Sequence, residues 1–405
     1  MQVLIIGAGL GGLVCAIACR RAGIEVTVLE QSAEISEVGA GIQIPPNASR
    51  VMRNIGLLSQ VQSEAIRVQW IDILRYKNGE RLIRRPLSDD HIKTLGGEWL
   101  VIHRADYHNI LLQEAKRLGA NILLSSRVVD VNVRQTKAML GNKTFAPDVI
   151  IGADGLWSIT RDSLLDKPAP PYETGDLAYR AIVSRDTLLG LNDPRVRTLC
   201  DAPGVTIWVG PRCHCVFYPI KKRTVFNLVL LRPDNMPRSS RKAEGSLQEM
   251  QETFEGWDPY CTTILGDACH PTLPYQAQGA AMAVEDGALI GYLLGEYEKV
   301  KYTPHLDKRS LQSLLKLYEK MRKSRTTVNV VGAVNNRHFY HMEDGVEQTE
   351  RDQSMKMHNW QYKSSKYSWL DVHYQQELLG YDVLWHGKQA FLTWWAEEYG
   401  GKGYI

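Results

Sequence analysis

The chain has 405 residues, which is enough for two or three domains, or for two interleaved ones. Charged residues make up 23% of the chain, the net charge is +3, and no long basic run is present. This composition excludes nucleic-acid binding through a basic surface. The seven irregularly spaced cysteines predict reduced thiols in a cytoplasmic protein. The apolar first residues lack a basic leader and run directly into a strand, so they predict neither a signal peptide nor a membrane anchor.

The first thirty residues predict a βαβ unit that binds a dinucleotide. A short apolar run, Val3 to Ile6, is typical of a buried parallel strand. Gly7, Gly9 and Gly12 then form G-x-G-x-x-G before a helix of small residues, and Glu30 ends the second strand. In this context the glycines permit a tight turn, an approach to a pyrophosphate and close helix packing. Glu30 is expected to accept hydrogen bonds from a ribose diol.

The remaining elements alternate between strand and helix, with two changes of character. A glycine-rich loop at residues 38–47 includes Gly41 and is expected to lie close to a ligand. From residue 176 to about 232 the strands are longer and alternate with polar positions, which predicts a half-exposed sheet covering a site. The other predicted elements are a helix at 47–55, a hairpin of 68–75 and 81–84 around Asn78-Gly79, strand–helix–strand over 98–124, paired strands at 128–133 and 137–140, a strand at 148–152, and helices at 246–254, 278–298 and 311–334.

Two later motifs join a glycine turn to a carboxylate. The first is Gly152-Ala-Asp154-Gly155, and the second is Gly266-Asp267-Ala-Cys-His-Pro271. A long cofactor with two phosphates needs glycine turns beside phosphate and carboxylates beside sugar hydroxyls. Together with the first motif, this combination resembles the FAD-dependent aromatic hydroxylases, the single-component flavoprotein monooxygenases, and most of all their salicylate hydroxylase-like branch. The resemblance covers roughly residues 1–330.

The resemblance implies a cofactor site for FAD. The ADP half would lie on the first glycine motif, the pyrophosphate near the second, and the ribityl chain against Asp267. The helix that begins near residue 279 would direct its N-terminal dipole at the flavin. The cofactor-binding residues implied in this way are Gly7, Gly9, Gly12, Glu30, Gly41, Arg104, Asp154, Gly155, Asp267, Gly279 and Ala280. No metal is expected.

The resemblance also implies the reaction and its partners. NADH or NADPH would reduce FAD, dioxygen would form a flavin C4a-hydroperoxide, and a small phenolic or aromatic-acid substrate would take one oxygen atom. Since a second G-x-G-x-x-G is absent, NAD(P)H is expected to have no separate binding domain. The expected state is a monomer or homodimer, with no membrane or nucleic-acid partner.

Three residues are candidates for substrate contact and catalysis. Arg180 occupies the position of the family's aromatic–arginine pair and would hold a carboxylate or phenolate. His214 and Tyr218 are four residues apart on a predicted strand, so they share a face, and either would help to deprotonate a phenol. The alternative is that His214 and Arg180 are ordinary surface residues. Cys213 and Cys215 face the opposite side from His214, which excludes a metal site shared by all three.

The element order predicts an α/β fold in which a Rossmann-like FAD-binding domain is interleaved with a mixed-sheet substrate domain, as in p-hydroxybenzoate hydroxylase. We assign residues 1–70, 98–172 and 262–330 to the FAD-binding domain and residues 71–97 and 173–261 to the substrate domain. Residues 331–405 form a helical C-terminal part.

One departure from the family's pattern leaves the outcome of the reaction open. Only residues 260–265 separate the turn at Trp257-Asp258-Pro259 from Gly266, where relatives have a helix and a further strand. Either the gene model omits an exon, or the pocket is truncated and part of its floor is expected to be missing. The alternatives to a hydroxylase are a related flavin epoxidase, an uncoupled NAD(P)H oxidase, or an impaired flavin-binding protein.

Overall fold

The computed structural model describes residues 1–34, 40–171, 174–235, 247–258, 277–301, 308–360 and 364–399. The strands are β1 (Gln2–Ile6), β2 (Glu25–Leu29), β3 (Gly41–Ile44), β4 (Ile66–Arg67), β5 (Trp70–Arg75), β6 (Arg81–Pro86), β7 (Leu100–His103), β8 (Asn121–Leu123), β9 (Asp130–Asn132), β10 (Lys137–Leu140), β11 (Lys143–Phe145), β12 (Val149–Gly152), β13 (Asp176–Ser184), β14 (Gly204–Gly210), β15 (Cys213–Ile220) and β16 (Val225–Pro233).

The helices are α1 (Leu10–Arg21), α2 (Pro46–Asn54), α3 (Leu58–Glu64), α4 (Asp89–Leu95), α5 (Arg104–Arg117), α6 (Ile159–Leu165), α7 (Arg185–Gly190), α8 (Pro194–Asp201), α9 (Leu247–Thr253), α10 (Gly279–Val300), α11 (Lys308–His341), α12 (Val346–Met357), α13 (Val372–Gly380) and α14 (Val383–Tyr399). A 3-10 turn, Lys221–Arg223, precedes β16. Within the described ranges, no helix combines the length and apolar character needed to cross a membrane.

The N-terminal βαβ unit is confirmed and belongs to a parallel sheet in the order β12-β1-β2-β8. The central strand β1 is apolar and almost wholly buried, as a parallel strand covered on both faces requires. Helix α1 packs on α10 with little space between them, because Gly287 and Gly291 of α10 face the backbone of α1. A Cβ at Gly287 would lie 2.3 Å from the carbonyl oxygen of Gly11.

A six-stranded mixed sheet in the order β13-β16-β15-β14-β5-β6 forms the second centre of the fold. Neighbouring strands are antiparallel except for β14 and β5. Strands β14 and β15 are buried along their whole length, so the prediction of a half-exposed sheet is wrong. The side chains of α7, α8 and α9 cover one face, and the C-terminal helices cover the other. The two smaller sheets have the orders β11-β10-β9 and β3-β7-β4.

The C-terminal helices belong to both cores of the molecule. Phe339, Trp369 and Leu378 pack on the mixed sheet, whereas Phe391 and Trp395 pack against the core around the parallel sheet. Helix α11 runs continuously through residue 330, so the domain boundary placed there does not coincide with the end of an element.

Candidate active site

The glycine-rich turn between β1 and α1 is held by close contacts at two of its glycines and is open at the third. Gly7 has a φ of +105°, and a Cβ there would lie 2.3 Å from the carbonyl oxygen of Ala153. A Cβ at Gly12 would lie 2.1 Å from the carbonyl oxygen of Gly7. At Gly9 a Cβ would meet no atom within 4 Å. Gly9 therefore faces open space at the start of α1, where the first N–H groups of the helix are suited to an anion.

Glu30 lies beside this turn at the carboxyl end of β2. Its Oε2 accepts a hydrogen bond from the N–H of Ala8 (2.8 Å), and its Oε1 accepts one from the N–H of Ser32 (2.9 Å). Burial raises the pKa of the Glu30 carboxyl, but these backbone donors outweigh burial and the net pKa is lowered. On the same turn, Nε2–H of the buried His108 donates to the carbonyl oxygen of Ala8 (2.7 Å). Sequence reasoning missed His108, because only the fold brings α5 against the turn.

The second motif forms a turn after β12. Asp154 accepts hydrogen bonds from Oγ of Ser158 (2.6 Å) and from the backbone N–H of Thr160 (3.0 Å). These bonds fix the turn that leads into α6. Gly155 has a φ of +75° and faces open space. The predicted role of Gly155 at a pyrophosphate remains a prediction, and Asp154 has a local partner on each carboxylate oxygen.

Gly41 joins the glycine-rich loop to the mixed sheet. Its N–H donates to Oδ1 of Asn227 (2.7 Å), and a Cβ at this position would lie 2.7 Å from Cε2 of Tyr218. This glycine therefore permits a close contact with the sheet, and its predicted role beside a ligand remains a prediction. In the described residues, Nδ2 of the fully buried Asn227 has no hydrogen-bond partner. Arg104 begins α5 and is exposed, and its backbone N–H donates to the carbonyl oxygen of Ala40 (2.8 Å).

The N-terminus of α10 contains a buried polar network. Nδ2 of Asn47 donates to Oε1 of Gln278 (3.0 Å) and to Oε1 of Glu285 (2.7 Å). Nε2 of Gln278 is buried and has no partner among the described residues. Gly279 is exposed and Ala280 is half-buried in the first turn of the helix. The predicted Asp267 lies outside the described residues, as does the short segment 260–265.

His214 and Tyr218 lie on the same face of β15, as the spacing predicted, while Cys213 and Cys215 pack on the opposite face. Nδ1 of His214 lies 2.7 Å from Nε2 of His341 on α11. Burial lowers the pKa of His214 well below its ordinary value, and His341 lowers it further. Burial also lowers the pKa of His341, to about 4. Both imidazoles are therefore neutral at pH 7, so one ring donates in this bond and the other accepts.

Arg180 lies on the edge strand β13 of the mixed sheet, near Tyr218. Burial lowers the pKa of Arg180, with Tyr218 acting in the opposite direction and Arg104 in the same one. Burial raises the pKa of the Tyr218 phenol, and the charge of Arg180 only partly offsets it. Tyr218 is therefore protonated at neutral pH and is able to donate a hydrogen bond.

A cavity of about 60 Å³ lies between this face of the sheet and the C-terminal helices. Its polar lining residues are Gln43, Arg85, His214, Asn336, Tyr340 and Gln375. The sequence analysis identified only His214 among them, because the others come from distant segments with no motif of their own. A larger cavity of about 340 Å³ lies among Gln2, Arg20 and Glu25, at the amino ends of the parallel strands. Ligands of open α/β sheets bind at the carboxyl ends of the strands, which argues against the larger cavity. We assign the substrate site to the smaller cavity, because His214 lines it.

The described residues fit FAD. Gly9, Gly155 and Gly279 all face open space where a side chain would stand. Glu30 offers a carboxylate at the end of β2, and Asn227 and Gln278 carry buried donors without partners in the described residues. Together these provide room for a phosphate backbone and polar atoms for sugar and ring.

The arrangement defines a dinucleotide-dependent enzyme with a buried pocket against a mixed sheet, and comparisons with known proteins specify its class. Residues 1–172 match the model of an FAD binding domain. An FAD-dependent monooxygenase, OpS4, of Beauveria bassiana is 33% identical over 418 residues, covering 95% of this chain and 96% of the relative. A 3-hydroxybenzoate 6-hydroxylase of Polaromonas naphthalenivorans is 30% identical over 392 residues, covering 88% and 92%.

Among solved structures, a salicylate hydroxylase in complex with its substrate matches with a TM-score of 0.76 at 20% identity, covering 96% of this chain and 98% of that one. This structural match shows the fold, and the two relatives that are at least 30% identical over most of the chain show that it belongs to the FAD-dependent aromatic hydroxylases, a family of flavoprotein monooxygenases. This confirms the predicted fold class, the enzyme class and FAD as cofactor.

Proposed function

We propose that this enzyme hydroxylates a phenolic aromatic acid with NADH or NADPH as electron donor. The balanced reaction is ArH + O2 + NAD(P)H + H⁺ giving ArOH + NAD(P)⁺ + H2O. The observation that carries the proposal is the shared face of His214 and Tyr218 on a buried sheet, with His214 lining a cavity. Relatives named 3-hydroxybenzoate 6-hydroxylase and 3-amino-4-hydroxybenzoate 2-monooxygenase support the choice of a hydroxylated benzoic acid.

Bound FAD would take up the electrons of the nicotinamide and activate dioxygen. The chain would hold its phosphates at Gly9 and Gly155 and its ribose at Glu30. The first turn of α10, at Gly279 and Ala280, would present backbone N–H groups to the flavin ring.

The polar side chains of the sheet would orient the phenol and accept its proton. Neutral His214 is a hydrogen-bond acceptor for the substrate hydroxyl in the tautomer in which its Nδ1–H donates to His341. Tyr218 keeps its own proton because burial raises its pKa, so it is a hydrogen-bond donor rather than a base. The nearby charge of Arg180 would stabilise a phenolate. The surrounding apolar residues would exclude water from the reacting oxygen.

The test measures NADH and NADPH consumption, hydrogen peroxide and hydroxylated product with 2-, 3- and 4-hydroxybenzoate. We expect at least one acid to stimulate turnover coupled to product. His214→Asn should lower kcat by about 100-fold, the usual effect of removing a general base. His338→Asn is the matched control, since His338 lies on α11 in an exposed pair with Glu347. Peroxide without product would indicate an uncoupled oxidase, and an epoxide product would indicate a flavin epoxidase. NAD(P)H oxidation that no acid stimulates would indicate an impaired flavin-binding protein.

Three other predictions accompany this proposal: the division into the two interleaved domains, a monomeric or homodimeric state, and a cytoplasmic location. Size-exclusion chromatography with light scattering tests the oligomeric state, and cell fractionation tests the location.

A further inference from the structure

Arg85 stands apart from the other buried arginines of the described chain. Six arginines are at most 9% exposed there: Arg50, Arg85, Arg232, Arg322, Arg325 and Arg351. Five of them form ion pairs with carboxylates, at 2.7 to 3.9 Å. No described Asp or Glu forms an ion pair with Arg85. A buried charge destabilises the fold unless a counter-charge meets it, so this position is suited to an anion from outside the chain.

The known contacts of Arg85 are neutral. Its Nη1 donates to Oε1 of Gln375 (2.6 Å), and its guanidinium lies 5.4 Å from the ring centroid of Trp360. Burial lowers the pKa of Arg85 to about 10, with Tyr340 acting in the opposite direction. The guanidinium is therefore still charged at neutral pH. A guanidinium has five N–H donors, and its fork matches a carboxylate.

Arg85 lines the same cavity as His214. Strand β6 places Arg85 on the face of the mixed sheet that carries Ile71 and Val205. Tyr340 of α11 lies between Arg85 and His214. The Tyr340 ring centroid is 5.1 Å from that of His214, and its hydroxyl is close enough to Arg85 to affect its pKa. None of the lining residues is acidic. One cavity thus joins a buried cation to the neutral imidazole that we assign to the substrate hydroxyl.

We propose that Arg85 binds the carboxylate of the aromatic substrate and selects benzoic acids over neutral phenols. The inference rests on the proposed function, because it takes the cavity as the substrate site. The cavity of about 60 Å³ holds about two water molecules, which is enough for a carboxylate. A ring attached to it requires nearby side chains to move, and Gln375 on α13 is the side chain that a carboxylate would replace at Arg85.

The test compares each hydroxybenzoate with its amide, which has nearly the same shape and no charge. Calorimetric titration of the FAD-loaded enzyme with 2-, 3- and 4-hydroxybenzoate and the matching hydroxybenzamides gives six dissociation constants. We expect the enzyme to bind at least one acid about 10- to 100-fold more tightly than its amide, as a charge-assisted hydrogen bond to a buried group predicts. If no acid is preferred over its amide, the inference is overturned.

Variants then assign the preference to Arg85. Arg85→Met should remove the preference, because it should weaken acid binding much more than amide binding. Arg81→Met is the control, since Arg81 is an exposed arginine on the same strand and should keep the wild-type preference. If Arg85→Met does not fold, Arg85→Lys keeps the charge but loses the planar pair of N–H donors, and it should reduce acid binding more than amide binding. An unchanged preference in the folded Met or Lys variant overturns the assignment.

The two proposals fail differently. Coupled hydroxylation of neutral phenols and amides as efficiently as acids would leave the proposed function standing and remove the role of Arg85. Preferred binding of an acid without any hydroxylated product would leave the role of Arg85 standing and contradict the proposed function.

Discussion

Gly9 and Gly12 are three residues apart in one motif, but the structure predicts different effects for the same substitution. Gly9→Ala should fold normally, since its Cβ meets no atom within 4 Å. It should weaken FAD binding about tenfold or more, because the methyl group occupies the space of a phosphate. Gly12→Ala should destabilise the fold by about 1–3 kcal/mol, because its Cβ would lie 2.1 Å from a backbone oxygen. Melting temperature and FAD titration of the two proteins check the contrast. Equal melting temperatures would contradict it.

The buried pair of His214 and His341 predicts acid sensitivity of the fold. Unfolded histidines take up protons near pH 6.5, whereas the folded pKa of His341 is about 4 and that of His214 is also lowered. The unfolded state therefore binds more protons in this range, so stability falls as the pH falls from 6.5 towards 4.

Denaturant unfolding at several pH values measures the effect. His341→Asn should reduce the pH dependence between 4 and 6.5 by about one proton, or roughly 1.4 kcal/mol per pH unit. The exposed His338→Asn should leave the slope as it is. A slope unchanged in the His341 variant would mean that this histidine is already protonated in the folded protein.

The residues of the site that sequence could predict are those whose role follows from local spacing. Alternation along a strand was enough to place His214 and Tyr218 on one face. His341 and Arg85 could not be found in this way, because His341 is 127 residues from His214 and neither lies in a motif. Arg84 and Arg85 are neighbours on β6, and their side chains point to opposite faces of the strand. Arg84 is therefore exposed and Arg85 is buried, which the sequence alone does not show.

At the scale of elements, a network of buried charged side chains joins α10 to α11. Oε2 of Glu285 accepts from Nη1 of Arg322 (2.7 Å), and Oε1 accepts from Nη2 of Arg325 (3.0 Å). Glu285→Gln should destabilise the fold by about 3–5 kcal/mol, because it leaves the buried charge of Arg325 without its counter-charge, whereas Arg322 keeps its ion pair with Asp286.

A matched control for Glu285 lies on the surface. Glu350→Gln breaks an exposed pair with Lys366 and should change stability by less than about 1 kcal/mol. Urea unfolding of both variants makes the comparison. A Glu285 variant as stable as the Glu350 variant would show that the arginines find other partners.

The mixed sheet shows why one element-scale prediction failed. Polar residues on β15 such as His214 suggested a face turned to solvent. The fold instead buries this face under helices from the last third of the chain, and the polar side chains find partners there. Strand periodicity gives the two faces of a sheet, but what covers each face is a property of the tertiary structure. Element types, in contrast, followed from local pattern, and most bounds agree within two residues.

At the scale of the molecule, the FAD-binding segment depends on distant parts of the chain. Residues 1–172 match a family model of their own, but α10 packs along α1, and Gly287 contacts its backbone. We expect the fragment of residues 1–172 to remain unfolded and to bind no FAD. Circular dichroism and FAD titration of this fragment test the expectation. A cooperative thermal transition with bound FAD would contradict it.

The same long-range packing has a consequence for biosynthesis. Strand β1 is made well before the elements that cover it, because its partner β12 ends at residue 152 and the helix that covers α1 ends at residue 300. Such non-local contacts form slowly and leave apolar surface exposed in the meantime. A nascent chain that is released early lacks α10, so we expect it to form no complete flavin site and to be a substrate for chaperones and proteases. We therefore expect synthesis to yield a flavoenzyme only from chains that have passed residue 300, and we expect shorter products not to become oxidases that release peroxide.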